Sequence, residues 1–108
     1  MKPLKGSKNV EDLFSSGKRT SSLFLHCVYV LDELSETNYV VSVPKKSFPL
    51  AVRRNKIKRI LREVLKKNKK KLIGFGGGRF MFIYSCDRVL SFSEINNDFV
   101  LILKKIRP

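Results

Sequence analysis

The stretch that decides the fold of this 108-residue chain is LAVRRNKIKRILREVLKK, residues 50–67. Its apolar residues recur every three or four positions, which is typical of a helix with one buried face. These residues are Ile57, Ile60, Leu61, Val64 and Leu65. At about 100° per residue, a second set falls together on a neighbouring arc. It comprises Asn55, Lys58, Arg59, Arg62 and Lys66. The pattern predicts a helix from about Leu50 to Lys67 with an apolar face for a core and a cationic face for a ligand.

The positive charge of the chain is concentrated around this helix. The formal net charge is +14, from 23 Lys and Arg against 9 Asp and Glu, and the segment Lys45–Lys71 contains 13 of the basic residues and one acid, Glu63. Such a local field attracts polyanions, and nucleic acid is the obvious one. The alternative is a solvated lysine-rich surface, which applies best to Lys66–Lys71, because blocks of like charge are often tails.

The remaining sequence excludes several classes of protein. Its length suits a single domain over residues 1–108. Two cysteines and one histidine cannot build a disulfide scaffold or a four-ligand zinc site, so no metal site is predicted in the protein, and whether one exists stays open. No apolar run approaches the ~18–20 residues of a membrane helix, and the first residues lack a signal sequence. We therefore expect a cytoplasmic protein without a membrane partner.

No constellation of residues predicts a catalytic site in the chain itself. The carboxylates have no catalytic spacing, and His26 and Cys27 are adjacent in a predicted strand, so they point to opposite faces. The glycines at positions 74–78 follow a helix and precede a strand, the reverse of a phosphate-binding loop. We interpret them as a flexible connector.

The other elements complete an α+β chain. In order, the patterns predict a helix from Ser7 to about Ser16, strands Leu23–Leu31 and Tyr39–Val43, the basic helix, a loop Lys69–Gly78, a strand Arg79–Ser85 and a last helix to about Lys105. Ser7 is the expected N-cap of the first helix, and Ser91 with Glu94 fits a capping box before the last. Whether Leu23–Leu31 is one strand or two stays open. The expected architecture is a small α/β sandwich in which the basic helix crosses over one sheet face.

The central segment resembles a known family. Residues 51–63, AVRRNKIKRILRE, are similar to the "RNR" signature of the bacterial ribonuclease P protein subunit, although Lys56 stands where arginine is usual. Residues 40–46, VVSVPKK, resemble the strand and double lysine that precede the signature, and residues 14–19, FSSGKR, resemble the N-terminal part of the family. The resemblance covers nearly the whole chain.

The resemblance implies a fold, partners and binding residues. The fold would be that of a domain of a small-subunit ribosomal protein, with three strands between the first helix and the basic helix. The catalyst would be an RNA that uses Mg²⁺ to remove the 5′ leader of precursor tRNA, and the chain would bind both RNAs without an obligate protein partner. The residues expected to contact the catalytic RNA are Lys45, Lys46, Arg53, Arg54, Asn55, Lys56, Lys58, Arg59 and Arg62. Those expected in a leader-binding cleft are Phe14, Lys18, Arg19 and Phe24.

Two other functions compete with this interpretation. One is a free-standing RNA-binding or ribosomal protein with no role in cleavage. The other is a membrane-active or purely structural basic protein, which the polar Asn55 within the cationic run disfavours. Aromatic residues in the strands are expected mostly in the core, but some of them would suit an open face on which unpaired bases stack.

Overall fold

The structure, a computed structural model, describes residues 1–106. The strands of this part of the chain are β1 (Lys2–Pro3), β2 (Lys18–Ser21), β3 (Leu25–Leu31), β4 (Thr37–Ser42) and β5 (Gly78–Tyr84). The helices are α1 (Ser7–Ser16), α2 (Ala51–Lys67), α3 (Lys69–Ile73) and α4 (Phe92–Lys105). The predicted α+β class and the predicted order of the main elements are confirmed.

The structure differs from the sequence prediction in three elements. The predicted strand Leu23–Leu31 begins two residues later, at Leu25, and β2 before it completes the three strands between α1 and α2 that the resemblance implies. The two-residue strand β1 was not predicted, because two residues carry no periodicity. The loop prediction for Lys69–Gly78 was wrong at its start, where the fully buried Leu72 anchors the short helix α3.

The sheet has the order β1-β4-β5-β3-β2. Strand β4 pairs in parallel with β1 and with β5, whereas β3 pairs antiparallel with β5 and with β2. The consecutive strands β3 and β4 are therefore not neighbours, because β5 lies between them. Helices α2 and α3 form the crossover from β4 to β5, as expected for neighbouring parallel strands.

Helices cover both faces of the sheet. The larger apolar cluster joins α2 and α4 to one face and includes Leu61, Phe82 and Phe99. A smaller cluster joins Leu13 of α1 to Val28 and Met81 on the other face. Helix α1 is short, so it covers only part of its face, and His26 of β3 stays exposed there.

The glycine-rich segment is not the flexible connector that we expected. Gly77 and Gly78 are buried and have φ angles of 115° and 143°, a region that favours glycine. A Cβ on Gly77 would overlap the carbonyl oxygens of Asp32 and Ser35, and a Cβ on Gly78 would overlap that of Val30. These two glycines therefore let β5 enter the sheet directly beneath the link from β3 to β4.

Of the two predicted helix caps, only the one at the start of α4 is present. At α4, the Ser91 hydroxyl accepts a hydrogen bond from the Glu94 N–H at 3.2 Å, and the Glu94 carboxylate accepts one from the Ser91 N–H at 3.2 Å. The predicted capping box is confirmed. The predicted cap at Ser7 is wrong, because α1 begins at Ser7, its N-cap is Gly6, and no side chain caps it.

Candidate nucleic-acid interface

Helix α2 separates its two faces as its sequence predicts. Ile57, Leu61, Val64 and Leu65 are buried against the sheet and α4, and Ile60 is half-buried at the boundary. The cationic arc lies outside this contact, with Lys58 half-buried and its other members exposed. We call this arc the basic face; it consists of Asn55, Lys58, Arg59, Arg62 and Lys66.

The charge of the basic face is not neutralised within the described residues. The two ion pairs found in residues 1–106 join Lys2 to Glu36 at 3.9 Å and Arg88 to Glu94 at 3.5 Å. Neither pair involves α2. A row of cations on a helix that forms no ion pair with a carboxylate of the described residues attracts a polyanion.

The first turn of α2 combines exposed cations with one structural arginine. Arg53 and Lys56 are exposed, as are Lys45 and Lys46 in the preceding connection. Arg54 differs, because its Nη1 group donates hydrogen bonds to the carbonyl oxygens of residues 48 and 49, at 2.8 Å each. Arg54 thereby fixes the connection against the helix. Three of its five N–H donors remain for a ligand.

The lysine-rich segment 66–71 is held in place by a buried asparagine. The Asn68 amide donates hydrogen bonds to the Val64 carbonyl oxygen at 2.8 Å and to the Asn96 side-chain oxygen at 2.9 Å. Asn68 is 6% exposed, whereas the five lysines around it are exposed. The segment extends the cationic surface beyond the end of α2 and is not a loose tail.

A second surface forms where α1 meets β2. The Phe14 ring is 46% exposed, and the Arg19 guanidinium carbon lies 4.4 Å from its centroid, a cation–π arrangement. Arg19 also donates a hydrogen bond to the Phe14 carbonyl oxygen. Gly17 lets the chain pass from α1 into β2 close to β3, because a Cβ there would lie 2.6 Å from Val28 Cγ1 and 2.7 Å from the Leu13 carbonyl oxygen.

The other two leader candidates lie apart from Phe14 and Arg19. Arg19 pairs with Val28 on the α1 face of the sheet, whereas Lys18 pairs with Tyr29, which packs in the larger cluster on the opposite face. Strand alternation thus separates the two basic residues. Phe24 lies in the turn between β2 and β3.

An open groove of about 790 Å³ lies beside Phe24, at one end of the sheet. Its lining includes Phe24, His26, Pro44, Ser47, Cys86 and Arg88. The Arg88 guanidinium carbon lies 5.8 Å from the Phe24 ring centroid. His26 and Arg88 were not predicted to line a groove. A basic residue just after a predicted strand was the available signal for Arg88, while His26 carried none.

A buried carboxylate shapes the turn that carries Phe24. Asp98 of α4 is 2% exposed and accepts hydrogen bonds from the Ser22 hydroxyl at 2.5 Å, the Leu23 N–H at 3.1 Å and the Phe24 N–H at 3.0 Å. These bonds provide the donors of the turn with an acceptor, and they give the buried carboxylate the hydrogen bonds that it requires. Asp98 was not predicted to hold this turn, because its hydrogen-bond partners lie 74 to 76 residues away in the chain.

The acids with shifted pKa values have structural explanations. Burial raises the pKa of the Cys27 thiol, and burial also raises the pKa of Tyr84 to about 12. The hydrogen bond from the Ser91 N–H lowers the pKa of Glu94, in keeping with its capping role. Residues 1–106 contain no cluster of three or more His, Cys, Asp or Glu that would bind a metal ion. Nor does this part of the chain include a helix with the length and apolarity to span a membrane.

Comparisons with known proteins agree on one family. A sequence model described as Ribonuclease P matches residues 2–107. The ribonuclease P protein component of Nitrosococcus oceani is 32% identical over 75 residues, which are 69% of this chain and 60% of that protein. The ribonuclease P protein of Thermotoga maritima has a similar structure, with a TM-score of 0.82 at 22% identity over 98% of each chain. That of Staphylococcus aureus gives 0.80 at 23% identity, over 95% of this chain and 93% of its own.

Proposed function

The chain belongs to the ribonuclease P protein family, and from this premise we propose that it is the protein subunit of a ribonucleoprotein endonuclease that removes the 5′ leader of precursor tRNA. The observation that carries the proposal is the basic face of α2, which is exposed except for the half-buried Lys58 and forms no ion pair within residues 1–106, on a helix whose opposite face is fixed in the core. The phosphodiester hydrolysis belongs to the RNA partner and its Mg²⁺.

The first role of the chain is to bind the catalytic RNA. The proposed contacts are Lys45, Lys46, Arg53, Arg54, Asn55, Lys56, Lys58, Arg59 and Arg62. Lys45 and Lys46 precede α2, and the other contacts lie on this helix, whose 17 residues extend over about 25 Å. Phosphate contacts of this kind position an RNA without reading its sequence.

The second role is to bind the leader of the substrate. Phe14 and Arg19 present a ring and a guanidinium on the α1 side of the sheet, which suits an unpaired base and its phosphate. Phe24 lies at the open groove, and Lys18 adds charge at the sheet edge. In this arrangement the leader follows the sheet, while α2 holds the RNA on another side of the molecule.

The two roles together explain why a cationic protein assists an RNA enzyme. Catalytic RNA and precursor tRNA are both polyanions and repel each other. A chain of net charge +14 that contacts both lowers this repulsion, so that less Mg²⁺ is needed for tight substrate binding.

Reconstitution tests the proposal. The protein is mixed with a bacterial ribonuclease P RNA and precursor tRNA at low Mg²⁺, and leader release is measured. We expect faster cleavage with the protein than with RNA alone, and a smaller difference as Mg²⁺ is raised. Equal rates at low Mg²⁺ would reject the proposal and favour a free-standing RNA-binding protein.

A further inference from the structure

A separate groove lies between α2 and the sheet edge at which β1 pairs with β4. Its volume is about 350 Å³, within the range of small-molecule sites. The lining residues are Met1, Tyr39, Arg59, Arg62, Glu63 and Lys66. The groove therefore uses part of the basic face together with two residue types that a phosphate contact does not need, a tyrosine and a glutamate.

The wall that α2 contributes follows from helical spacing. Positions 59, 62, 63 and 66 lie on one side of a helix, and here they carry three cations and one carboxylate. The sheet contributes Tyr39, which is half-buried and packs against the larger core cluster. The excess of positive charge selects an anion, and the fixed phenol gives the groove an aromatic surface.

The composition of this groove favours a nucleotide over a simple anion. An inorganic phosphate or an acidic peptide would gain from the cations but would be repelled by Glu63 and make no use of Tyr39. A nucleotide uses every group, because its base packs on an aromatic ring and its phosphate binds the arginines. Guanine also presents two adjacent N–H donors, N1–H and N2–H, which fit one carboxylate.

We propose that this groove receives an unpaired guanine nucleotide of the RNA partner. Its phosphate binds Arg59, Arg62 and Lys66, its base packs against Tyr39, and its N–H edge donates to Glu63. The inference rests on the proposed function, since the RNA held by the basic face delivers the nucleotide. It goes further, because it assigns base recognition to a face that otherwise contacts only phosphates.

Titration of the full chain with small probes tests the groove without any RNA. Guanosine 5′-monophosphate and ribose 5-phosphate carry the same phosphate and sugar, and only the former carries a base. At low salt, followed by NMR, we expect the nucleotide to bind about tenfold more tightly and to shift the Tyr39 ring signals. Equal affinities with unmoved ring signals would show a phosphate site only and overturn the proposal.

Variants at Tyr39 test the aromatic surface. Tyr39→Leu should abolish the preference for the nucleotide over ribose 5-phosphate, and Tyr39→Phe should keep it. The amide spectra of both variants show whether the fold is intact. A Tyr39→Leu protein that is folded and retains the preference would overturn the proposal.

Adenosine 5′-monophosphate tests recognition by Glu63. Adenine offers a comparable stacking surface but lacks the N1–H donor, so we expect adenosine 5′-monophosphate to bind more weakly than guanosine 5′-monophosphate. Glu63→Ala should remove this difference in affinity. Equal binding of the two purines to the unchanged protein would refute the guanine assignment. These results are independent of the cleavage assay at low Mg²⁺, so failure of the groove and failure of the proposed function are distinguished.

Discussion

At the scale of single residues, neighbours in the sequence have different tasks. Arg53 is exposed at the start of α2, whereas Arg54 donates two hydrogen bonds to backbone oxygens and holds the preceding connection. From the sequence alone, both arginines were expected to contact the RNA as cations. The structure divides them, because only geometry shows which guanidinium meets a carbonyl oxygen.

Gly77→Ala should strongly destabilise the fold. An added Cβ meets two carbonyl oxygens of the link between β3 and β4, and the φ of 115° is itself unfavourable for alanine. We expect a loss of at least about 3 kcal/mol in the free energy of unfolding, from backbone strain plus overpacking. Denaturant unfolding measures it.

Gly76→Ala is the matched control for that variant. Gly76 also has a positive φ, 91°, but nothing lies within 4 Å of its added Cβ. We expect Gly76→Ala to reduce the free energy of unfolding only through the unfavourable backbone conformation, by about 1–2 kcal/mol. Similar losses for the two variants would show that the link between β3 and β4 does not press on Gly77.

Tyr84→Phe should expose the role of one buried hydroxyl. The Tyr84 hydroxyl donates to the Arg88 carbonyl oxygen at 2.6 Å and accepts from the Leu90 N–H at 3.0 Å. Its removal leaves a buried N–H without an acceptor, so we expect a loss of about 1–3 kcal/mol in unfolding free energy. Tyr39→Phe, at the groove edge, should change stability by less than about 0.5 kcal/mol. Equal losses would contradict this account.

Alkaline unfolding gives a second measurement on Tyr84. Because its folded-state pKa is raised from 10.0 to about 12, folding favours the neutral phenol. That contribution is complete below pH 10 and is lost as the pH rises towards 12. The stability of Tyr84→Phe should therefore fall less steeply over this interval than that of the unchanged protein.

At the scale of elements, α2 shows how one helix serves both the core and a ligand. Its apolar and cationic residues were assigned to faces from sequence spacing, and the burial of Ile57, Leu61, Val64 and Leu65 confirms the assignment of the apolar face. The role of the basic face in RNA binding stays a prediction.

Neutralising the basic face should weaken RNA binding and its salt dependence. We expect the triple change Lys58→Gln, Arg59→Gln and Arg62→Gln to reduce the log–log slope of affinity against salt by about two units, at ~0.7–0.9 per phosphate contact. Binding of the catalytic RNA is measured over a salt series. Glutamine at Lys5 and Lys8, two exposed cations of the N-terminal segment outside α2, is a control that should leave the slope unchanged. An unaltered salt dependence of RNA affinity in the α2 variant would mean that the RNA does not bind at these three residues.

Truncation of the apolar face should affect stability instead. Leu61 is 1% exposed, so Leu61→Ala should reduce the free energy of unfolding by about 2–5 kcal/mol. Ile60 is only half-buried, and Ile60→Ala should reduce it by less. Chemical denaturation of both variants measures the order. A reversed order would mean that α2 is rotated about its axis.

At the scale of the whole molecule, local and long-range features differ in how far sequence predicts them. Helix spacing, the capping box of α4 and most strands follow from neighbouring residues and were predictable. The sheet order was not, because pairing of β5 with both β3 and β4 joins residues far apart in the chain. Asp98 resembles any polar residue of an amphipathic helix until the turn between β2 and β3 comes beside it.

Asp98→Asn should therefore weaken the connection between the two ends of the chain. An amide has one acceptor oxygen in place of two and places an N–H group among the donors of residues 22–24. We expect a loss of about 1.5–3 kcal/mol, the value of one hydrogen bond to a charged group. Asp87→Asn, at an exposed position, is the control. Thermal unfolding that is equal for both variants would contradict the structural role of Asp98.

The central place of β5 bears on how the chain acquires its shape during translation. Strands β3 and β4 leave the ribosome first, and the five-residue segment 32–36 between them is short enough for a direct hairpin. Such a hairpin would occupy the edges that β5 requires and would leave β5 only an outer position. We therefore expect a nascent chain closed in this way to fold slowly, until the two strands separate and admit β5 between them.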